Sequence, residues 1–365
     1  MPMKILFFGS GPLASLLASR LMDGGQDVTL LARGQRLADL KANGLVLCSL
    51  ITGGCTYQEV KLVESLGSED AYDLIIAVMG AHHLPEVLPI LAANPVCQNI
   101  LIMGNNAAGP DALAASVGRE RLLMGFFGAA GTITDGVAYY ADRIGRSDAR
   151  LVLGDPYQGV TPRVEVVAAV LESSGFSVDL QPNIDAYLKS HAAAILPLSC
   201  AYYLAGRDFD RLAATPDAQL VMLRGMKEAL AVLRALRIPI VPPVMERTMR
   251  LPEPLMVSIM RRRLTAPGVR VGAVHIDKIG PELTYLAGQY RDLMRLSGQS
   301  TPNLDRLLAA LSPSVPPIPL GSAGLKVDWR GIYTILAALS ALVALLFGMT
   351  RRRRTADHRR TTADG

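Results

Sequence analysis

The sequence predicts an α/β chain, with a parallel sheet wound with helices, then an all-helical C-terminal domain, plus a C-terminal hydrophobic helix. Three observations predict it. The apolar run "KILFF" (4–8) breaks at Gly9 and Gly11 and resumes with helical spacing at Leu13, Leu16, Leu17 and Leu21, which reads as strand, tight turn, helix. The strand-length runs "YDLIIAV" (72–78) and "NILIMGN" (99–105) flank the helical stretch "LPEVLPILAAN", as in a βαβ unit. From about residue 161 the pattern is mostly helical, through "TPRVEVVAAVLESSG", "NIDAYLKSHAAAILPLSCAYYLAG", "DAQLVMLRGMKEALAVLRALR" and "ELTYLAGQYRDLMRLSG".

Composition fits that class. The chain has 365 residues, enough for two cores, and is 50% hydrophobic with 5% aromatic residues, which favours aliphatic helices and buried strands. Its net charge of +5 invites a nucleic-acid reading, but residues 351–365 hold six arginines against Asp357 and Asp364. The body is therefore close to neutral, and no nucleic-acid partner is expected. Cys48, Cys55, Cys97 and Cys200 lack CxxC spacing and a histidine cluster, so reduced thiols in a cytoplasmic body and no metal are expected. The amino terminus does not read as a signal peptide, because the apolar run is broken at the glycines.

The first turn, "GSGPLA", comprises Gly9, Ser10, Gly11, Pro12, Leu13 and Ala14 and fits G-x-G-x-x-A. Gly9 permits the sharp turn, Gly11 lets backbone approach a pyrophosphate, and small Ala14 lets helix and strand pack closely, as in a Rossmann-type dinucleotide site. "GG" at 24–25 ends the helix and "DVTLLA" supplies the second strand; "RLLMGFFGAAGT" and "RLVLG" read as later strands of the same sheet. At the end of the second strand, where an NAD site carries an acid about 20 residues beyond the glycines, stand Arg33 and Arg36. Paired hydrogen bonds from Arg33 to a 2′-phosphate, with Arg36 adding to the local field, point to NADP(H); two solvated surface arginines are the bland alternative.

The chain resembles the ketopantoate reductases (2-dehydropantoate 2-reductases). The resemblance rests on "MKILFFGSGPLASLLASRLMDGGQDVTLLARGQRLADLKANGL", "GNNAAGPDAL", "AYLKSHAAAILP" and "GPELTYLAGQYRDLMRLSGQSTPNLDRLLAAL", and covers residues 3–312. It implies NADPH-dependent reduction of a 2-oxo acid, as in the conversion of 2-dehydropantoate to pantoate in pantothenate biosynthesis. By position it puts the proton-donating lysine at Lys189, the substrate-pocket glutamate at Glu282, and the asparagine near the nicotinamide at Asn105. Three departures stand out. The family's asparagines four and eight residues after the lysine are Ala193 and Pro197, its lysine after the third strand is Gly80, and Arg270 stands where a serine is expected.

The chemistry can be argued beside the resemblance. Hydride attack on a ketone builds negative charge on oxygen, which a positioned ammonium stabilises and then protonates. Lys189 lies on a helix amid "AYL" and "HAAAIL", so apolar surroundings are expected; most helical lysines are simply solvated. His191 lies about 200° round that helix from Lys189 and reads as packing. His82 and His83 begin the helix after the third strand, where a nearby cofactor and a solvated helix start are equal readings. His275, two helical turns before Glu282, is a candidate second donor, although Gly280 and Pro281 intervene. Arg270 is a candidate for the substrate carboxylate, in competition with "RRR" at 261–263.

The expected organisation is a NADP-binding domain at 1–180, a helical substrate and catalytic domain at 181–312, a Pro-rich linker at 313–329, a membrane helix at 330–350 and a basic tail at 351–365. Residues 331–350 are 20 consecutive uncharged residues, about 30 Å as a helix, with Trp329 and Tyr333 at one end and "RRRR" at the other. A cytoplasmic body would put those arginines outside, against the positive-inside tendency, so a spanning helix and an interfacial one both stand. The partners expected are a 2-oxo acid, a membrane and a second copy in a homodimer. Alternative readings are a reductase of a different 2-oxo acid and a membrane-held NADPH-binding protein without catalysis.

Overall fold

The computed structural model describes residues 2–144, 147–148, 150–265 and 276–341. Strands run β1 (Lys4–Phe8), β2 (Asp27–Leu31), β3 (Leu45–Ser49), β4 (Cys55–Gln58), β5 (Lys61–Val63), β6 (Leu74–Val78), β7 (Ile100–Met103), β8 (Leu122–Phe127), β9 (Ala130–Thr134), β10 (Val137–Ala141), β11 (Arg143–Ile144), β12 (Ser147–Asp148), β13 (Arg150–Gly154) and β14 (Ser177–Leu180). The main sheet has eight strands in the order β14-β13-β8-β7-β6-β1-β2-β5. Its neighbours pair parallel except β8 and β13. The order reverses between β1 and β6, and crevices for ligands open beyond the carboxyl ends of strands at such a point.

Both faces of this sheet are covered, which is why its strands read as unbroken apolar runs. Ile5, Phe7, Leu30 and Ile76 point to the side of helix Pro12–Asp23, where Leu17 and Leu21 are buried. Leu6, Phe8, Leu31 and Ile75 point to the opposite side, against Leu84, Val87 and Leu91 of helix Leu84–Ala92. Each such side chain, taken from water, stabilises the fold by about 1.5–3 kcal/mol. The helix Pro162–Ser173 does not begin the helical region, contrary to the pattern read from residue 161; it is the crossover that joins β13 to parallel β14.

A second sheet, β4-β3-β10-β9, was not foreseen. It lies on the start of helix Pro12–Asp23, where a Cβ at Gly131 would sit 2.7 Å from Pro12 Cβ. It also corrects the expectation of four free thiols. Residues 50–54 return β4 beside β3 with Cys48 opposite Cys55, and the two form a disulfide, leaving buried Cys97 and Cys200 free. Spacing along the chain does not show a cross-strand pair until the hairpin register is known.

Beyond β14 the described chain is helical: Ile184–Leu204, Phe209–Ala213, Pro216–Ala235, Pro243–Met249, Glu253–Leu264, Gly280–Ser297 and Pro302–Ala309. Asn183 starts the first, its Oδ1 accepting from the Ala186 amide at 3.0 Å. Leu196, Val221, Leu230, Leu286 and Leu307 meet in one core, and fully buried Tyr290 donates its hydroxyl to the Ala229 carbonyl at 2.9 Å.

The Pro-rich segment after Ala309 is docked on these helices. Ile318 N donates to Leu204 O at 2.9 Å and Arg211 Nη2 to Ile318 O at 2.6 Å. Asp217 accepts from the Gly324 and Leu325 amides at 2.9 and 2.8 Å and from the Ser322 hydroxyl. Arg224 forks onto Glu253 at 3.0 and 2.9 Å and donates to Lys326 O, while Glu253 accepts from Asp328 N.

The membrane helix expected at 330–350 gains no support. A helix starts at 330 and is described to 341; among the described residues no helix is long and apolar enough to cross a membrane. Residues 342–350 and the basic tail lie outside the described residues.

Two predictions follow from this packing. A Cβ at Gly154 would lie 2.4 Å from the Gln181 carbonyl oxygen and 3.2 Å from Ile184 Cβ, so Gly154→Ala overpacks the start of helix Ile184–Leu204. The expected loss is about 1–3 kcal/mol in urea unfolding at unchanged m; wild-type stability would show that this junction has room to shift. Burial pushes the Asp217 carboxyl up, but hydrogen bonds from Ser322, Leu325 and Gly324 prevail and hold it below its usual value. A depressed pKa contributes stability above the unfolded value that is lost as pH falls through the folded one. Asp217→Asn should therefore melt below wild type at pH 7, with the gap closing below about pH 4; a gap independent of pH would contradict the role of the charge.

Candidate active site

The carboxyl ends of β1, β2, β6 and β7 lead into Gly9–Ala14, Arg33, Met79–His83 and Gly104–Pro110. Gly9 has φ +111°, a conformation that L side chains rarely adopt. Gly11 is extended at the N-cap of helix Pro12–Asp23, no heavy atom lies within 4 Å of where its Cβ would be, and the first turn holds no acid. Pro12 at the first helical position lacks an N–H and Ala14 is buried against the sheet. Open space over exposed amides at the positive end of a helix suits an anionic group, so the turn fits a dinucleotide pyrophosphate.

The two arginines differ. Arg33 is exposed at the N-cap of helix Gly34–Asn43, and its guanidinium hydrogen-bonds no described residue. Arg36 is half-buried and donates to Ser10 O at 3.0 Å, Ser15 Oγ at 3.1 Å and Gly136 O at 2.6 Å, tying the glycine turn to the β9–β10 hairpin. Burial lowers its pKa, with Asp39 opposing.

The segment Gly104–Pro110 is where the sheet and the helices meet. Asn105 Nδ2 donates to Glu282 Oε1 at 2.8 Å, and Ala107 N donates to Gln289 Oε1 at 2.9 Å, both acceptors lying on helix Gly280–Ser297. Asn106 closes the segment on itself, accepting from Gly109 N at 2.9 Å and donating to Gly109 O at 3.2 Å. A Cβ on Gly109, whose φ is +92°, would lie 3.3 Å from Lys189 Nζ and 3.5 Å from Asp185 Oδ1. Lys189 is buried with its ammonium 2.5 Å from Asp185 Oδ2 one turn earlier, so its surroundings are not the apolar ones expected. Asp185 Oδ1 and Asn105 Oδ1 are both buried without a hydrogen-bond partner among the described residues.

Lys189, Glu282 and Asn105 are thus brought to one loop. The positions four and eight residues after Lys189, Ala193 and Pro197, are buried in the helical region and present no polar group. His191 packs on Phe126 at 4.1 Å and Tyr187 at 6.5 Å, and burial pushes its pKa down to about 4, so it stays neutral. Arg270 and His275 lie outside the described residues. The sequence reading missed Asp185 and Gln289. Asp185 precedes Lys189 by four residues and Gln289 follows Glu282 by seven, spacings that share a helix face.

Residues 5–148 fit the family profile described as "Ketopantoate reductase PanE/ApbA". Over these residues the chain is similar to that family. The uncharacterized oxidoreductase YkpB of Bacillus subtilis (strain 168) is 34% identical over 86 residues, 24% of this chain and 27% of that relative's length. Among solved structures, a putative ketopantoate reductase from Ralstonia solanacearum MolK2 superposes with TM-score 0.68 at 20% identity, covering 85% of this chain and 97% of that one. The 2-dehydropantoate 2-reductase of Geobacter metallireducens GS-15 gives TM-score 0.69 at 17% identity, with 84% and 98% covered. A D-mandelate dehydrogenase, solved as a ternary structure with NADH and anilino(oxo)acetate, gives TM-score 0.69 at 18% identity, with 85% and 97% covered. At these identities the structures show a shared fold across both the sheet and the helices.

Proposed function

We propose that the chain is an NADPH-dependent oxidoreductase that reduces a 2-oxo acid to the 2-hydroxy acid. The observation that supports this best is the meeting of Lys189 and Glu282, from two separate helices, on the loop at the end of β7 beside the glycine turn. In this reading Gly9–Ala14 and the amides of the helix start hold the pyrophosphate. Arg33 holds the 2′-phosphate, and Arg36 keeps the turn in shape from behind. The bound nicotinamide supplies a hydride to the ketone carbon. Lys189 gives a proton from Nζ to the ketone oxygen and regains it from water, Asp185 holds that amine in place, and Glu282 with Asn105 orients the substrate.

The buried, apolar Ala193 and Pro197 offer no side-chain hydrogen bond to substrate or cofactor, so 2-dehydropantoate and a different 2-oxo acid both stand as substrates. Arg270 and His275 remain candidates for the substrate carboxylate and for a second proton donor, and a homodimer remains a candidate assembly.

NADPH consumption with 2-dehydropantoate and with branched and aromatic 2-oxo acids tests the reading. Turnover with at least one acid is expected; cofactor binding without turnover on any of them would leave a non-catalytic NADPH-binding protein. Lys189→Ala should lower kcat by about 10²–10⁴-fold with NADPH affinity retained, and full activity in that variant would remove the assigned proton donor. Arg33→Ala should weaken NADPH binding about tenfold or more and leave NADH binding unchanged, since a lost charged hydrogen bond costs about 1.5–3 kcal/mol. Equal effects on both cofactors would sink the 2′-phosphate role.

A further inference from the structure

At the carboxyl end of β6 the chain makes a single short turn, Ala81–His83, against the first turn of helix Gly280–Ser297. Here Gly80 has an ordinary extended backbone, φ −60° and ψ 134°, so conformational freedom is not why a glycine stands there. Space is the reason. A Cβ on Gly80 would lie 2.6 Å from His82 Cε1, 2.8 Å from His82 Nδ1 and 3.1 Å from Glu282 Oε2. The missing side chain lets the His82 ring pack over the Gly80 backbone, so imidazole and the Glu282 carboxylate come close to the same point, and Asn105 is hydrogen-bonded to that carboxylate.

Two polar atoms among these groups are buried without a hydrogen-bond partner among the described residues: His82 Nδ1 and Asn105 Oδ1. A buried polar atom left unsatisfied costs about 1–3 kcal/mol, and such atoms at a crevice are places for a ligand's polar group. The amide oxygen can only accept, so the matching group must carry a hydrogen; the imidazole nitrogen donates in one tautomer and accepts in the other. A hydroxyl does both. Burial, with neighbouring His83, lowers the His82 pKa while Glu86 raises it, so the ring is neutral at pH 7 and able to form such a bond.

We propose that His82 contacts the substrate, with Nδ1 hydrogen-bonding a hydroxyl carried by the 2-oxo acid beside Asn105 and Glu282, and that it sets the preference for hydroxylated over plain aliphatic 2-oxo acids. The substrate class rests on the reductase reading above; the contact itself does not require turnover. A site that hydrogen-bonds a substrate hydroxyl rejects the analogue lacking it, because its own buried polar atoms stay unpaired.

Two acids differing by one hydroxyl test this: 2-dehydropantoate, which is 4-hydroxy-3,3-dimethyl-2-oxobutanoate, and 3,3-dimethyl-2-oxobutanoate. Wild type should favour the hydroxylated acid in kcat/KM by about tenfold or more, the value of one hydrogen bond near 1.4 kcal/mol. His82→Phe should bring the ratio near one. His82→Asn, whose amide reaches the position of Nδ1, should restore part of it, and Gly80→Ala, which displaces the ring, should lower it. In protein carrying ¹⁵N-histidine with NADP⁺ bound, the His82 ring resonances should move on adding 2-dehydropantoate and not the plain acid.

A wild-type ratio near one, an unchanged ratio in His82→Phe, or unmoved resonances with both acids would overturn the proposal. Hydroxyl-dependent movement without turnover of any acid would overturn the reductase reading and keep the His82 contact. Turnover with His82 unmoved would do the reverse.

Discussion

The site depends on how the loop after β7 is satisfied. Residues 104–110 leave the sheet at its most buried strand, and backbone polar groups in such a place must find partners or destabilise the fold. The Ala107 amide and the Asn105 side chain find theirs on one face of helix Gly280–Ser297, at Gln289 and Glu282. Gly109 lies where any side chain would press on the Lys189 ammonium, and a second helix thereby closes on the same loop. Apolar packing is non-directional and would tolerate small slides between sheet and helices. These directional bonds limit such slides, and they bind the geometry of the site to the junction between the two regions.

Much of this was legible in the sequence. Strands buried on both faces wrote themselves as continuous apolar runs, and the turn at Gly9–Ala14 combined residue types that each have a steric reason to be there. The small sheet was illegible because its strands are short and part-exposed, as at Tyr57, so no period stands out. The Cys48–Cys55 bridge was hidden for the same reason, since it depends on a hairpin register that composition does not set. Lys189, Glu282 and Asn105 came from the family resemblance. Their partners Asp185 and Gln289 could have been found from helix periodicity alone, had the faces carrying Lys189 and Glu282 been read outward by whole turns.

Arg33 and Arg36 show where residue type stops being informative. Three positions apart at the start of one helix, they were read as one cationic pair facing a phosphate. The fold separates them. Arg33 remains in solvent at the helix cap, while Arg36 turns inward and spends its donors on Ser10, Ser15 and Gly136. A planar fork with five donors suits both tasks, and only the direction of the side chain distinguishes them.

The tail of the chain carries a last mechanical consequence. The strap from Ser312 to Asp328 grips helices Pro216–Ala235 and Glu253–Leu264 through Asp217, Arg224 and Glu253, and none of its hydrogen bonds described above reaches the sheet. The helix that starts at residue 330 is therefore cargo of the helical lobe. A pull on that helix would reach the helices that carry Lys189 and Glu282 before it reached the glycine turn of the sheet.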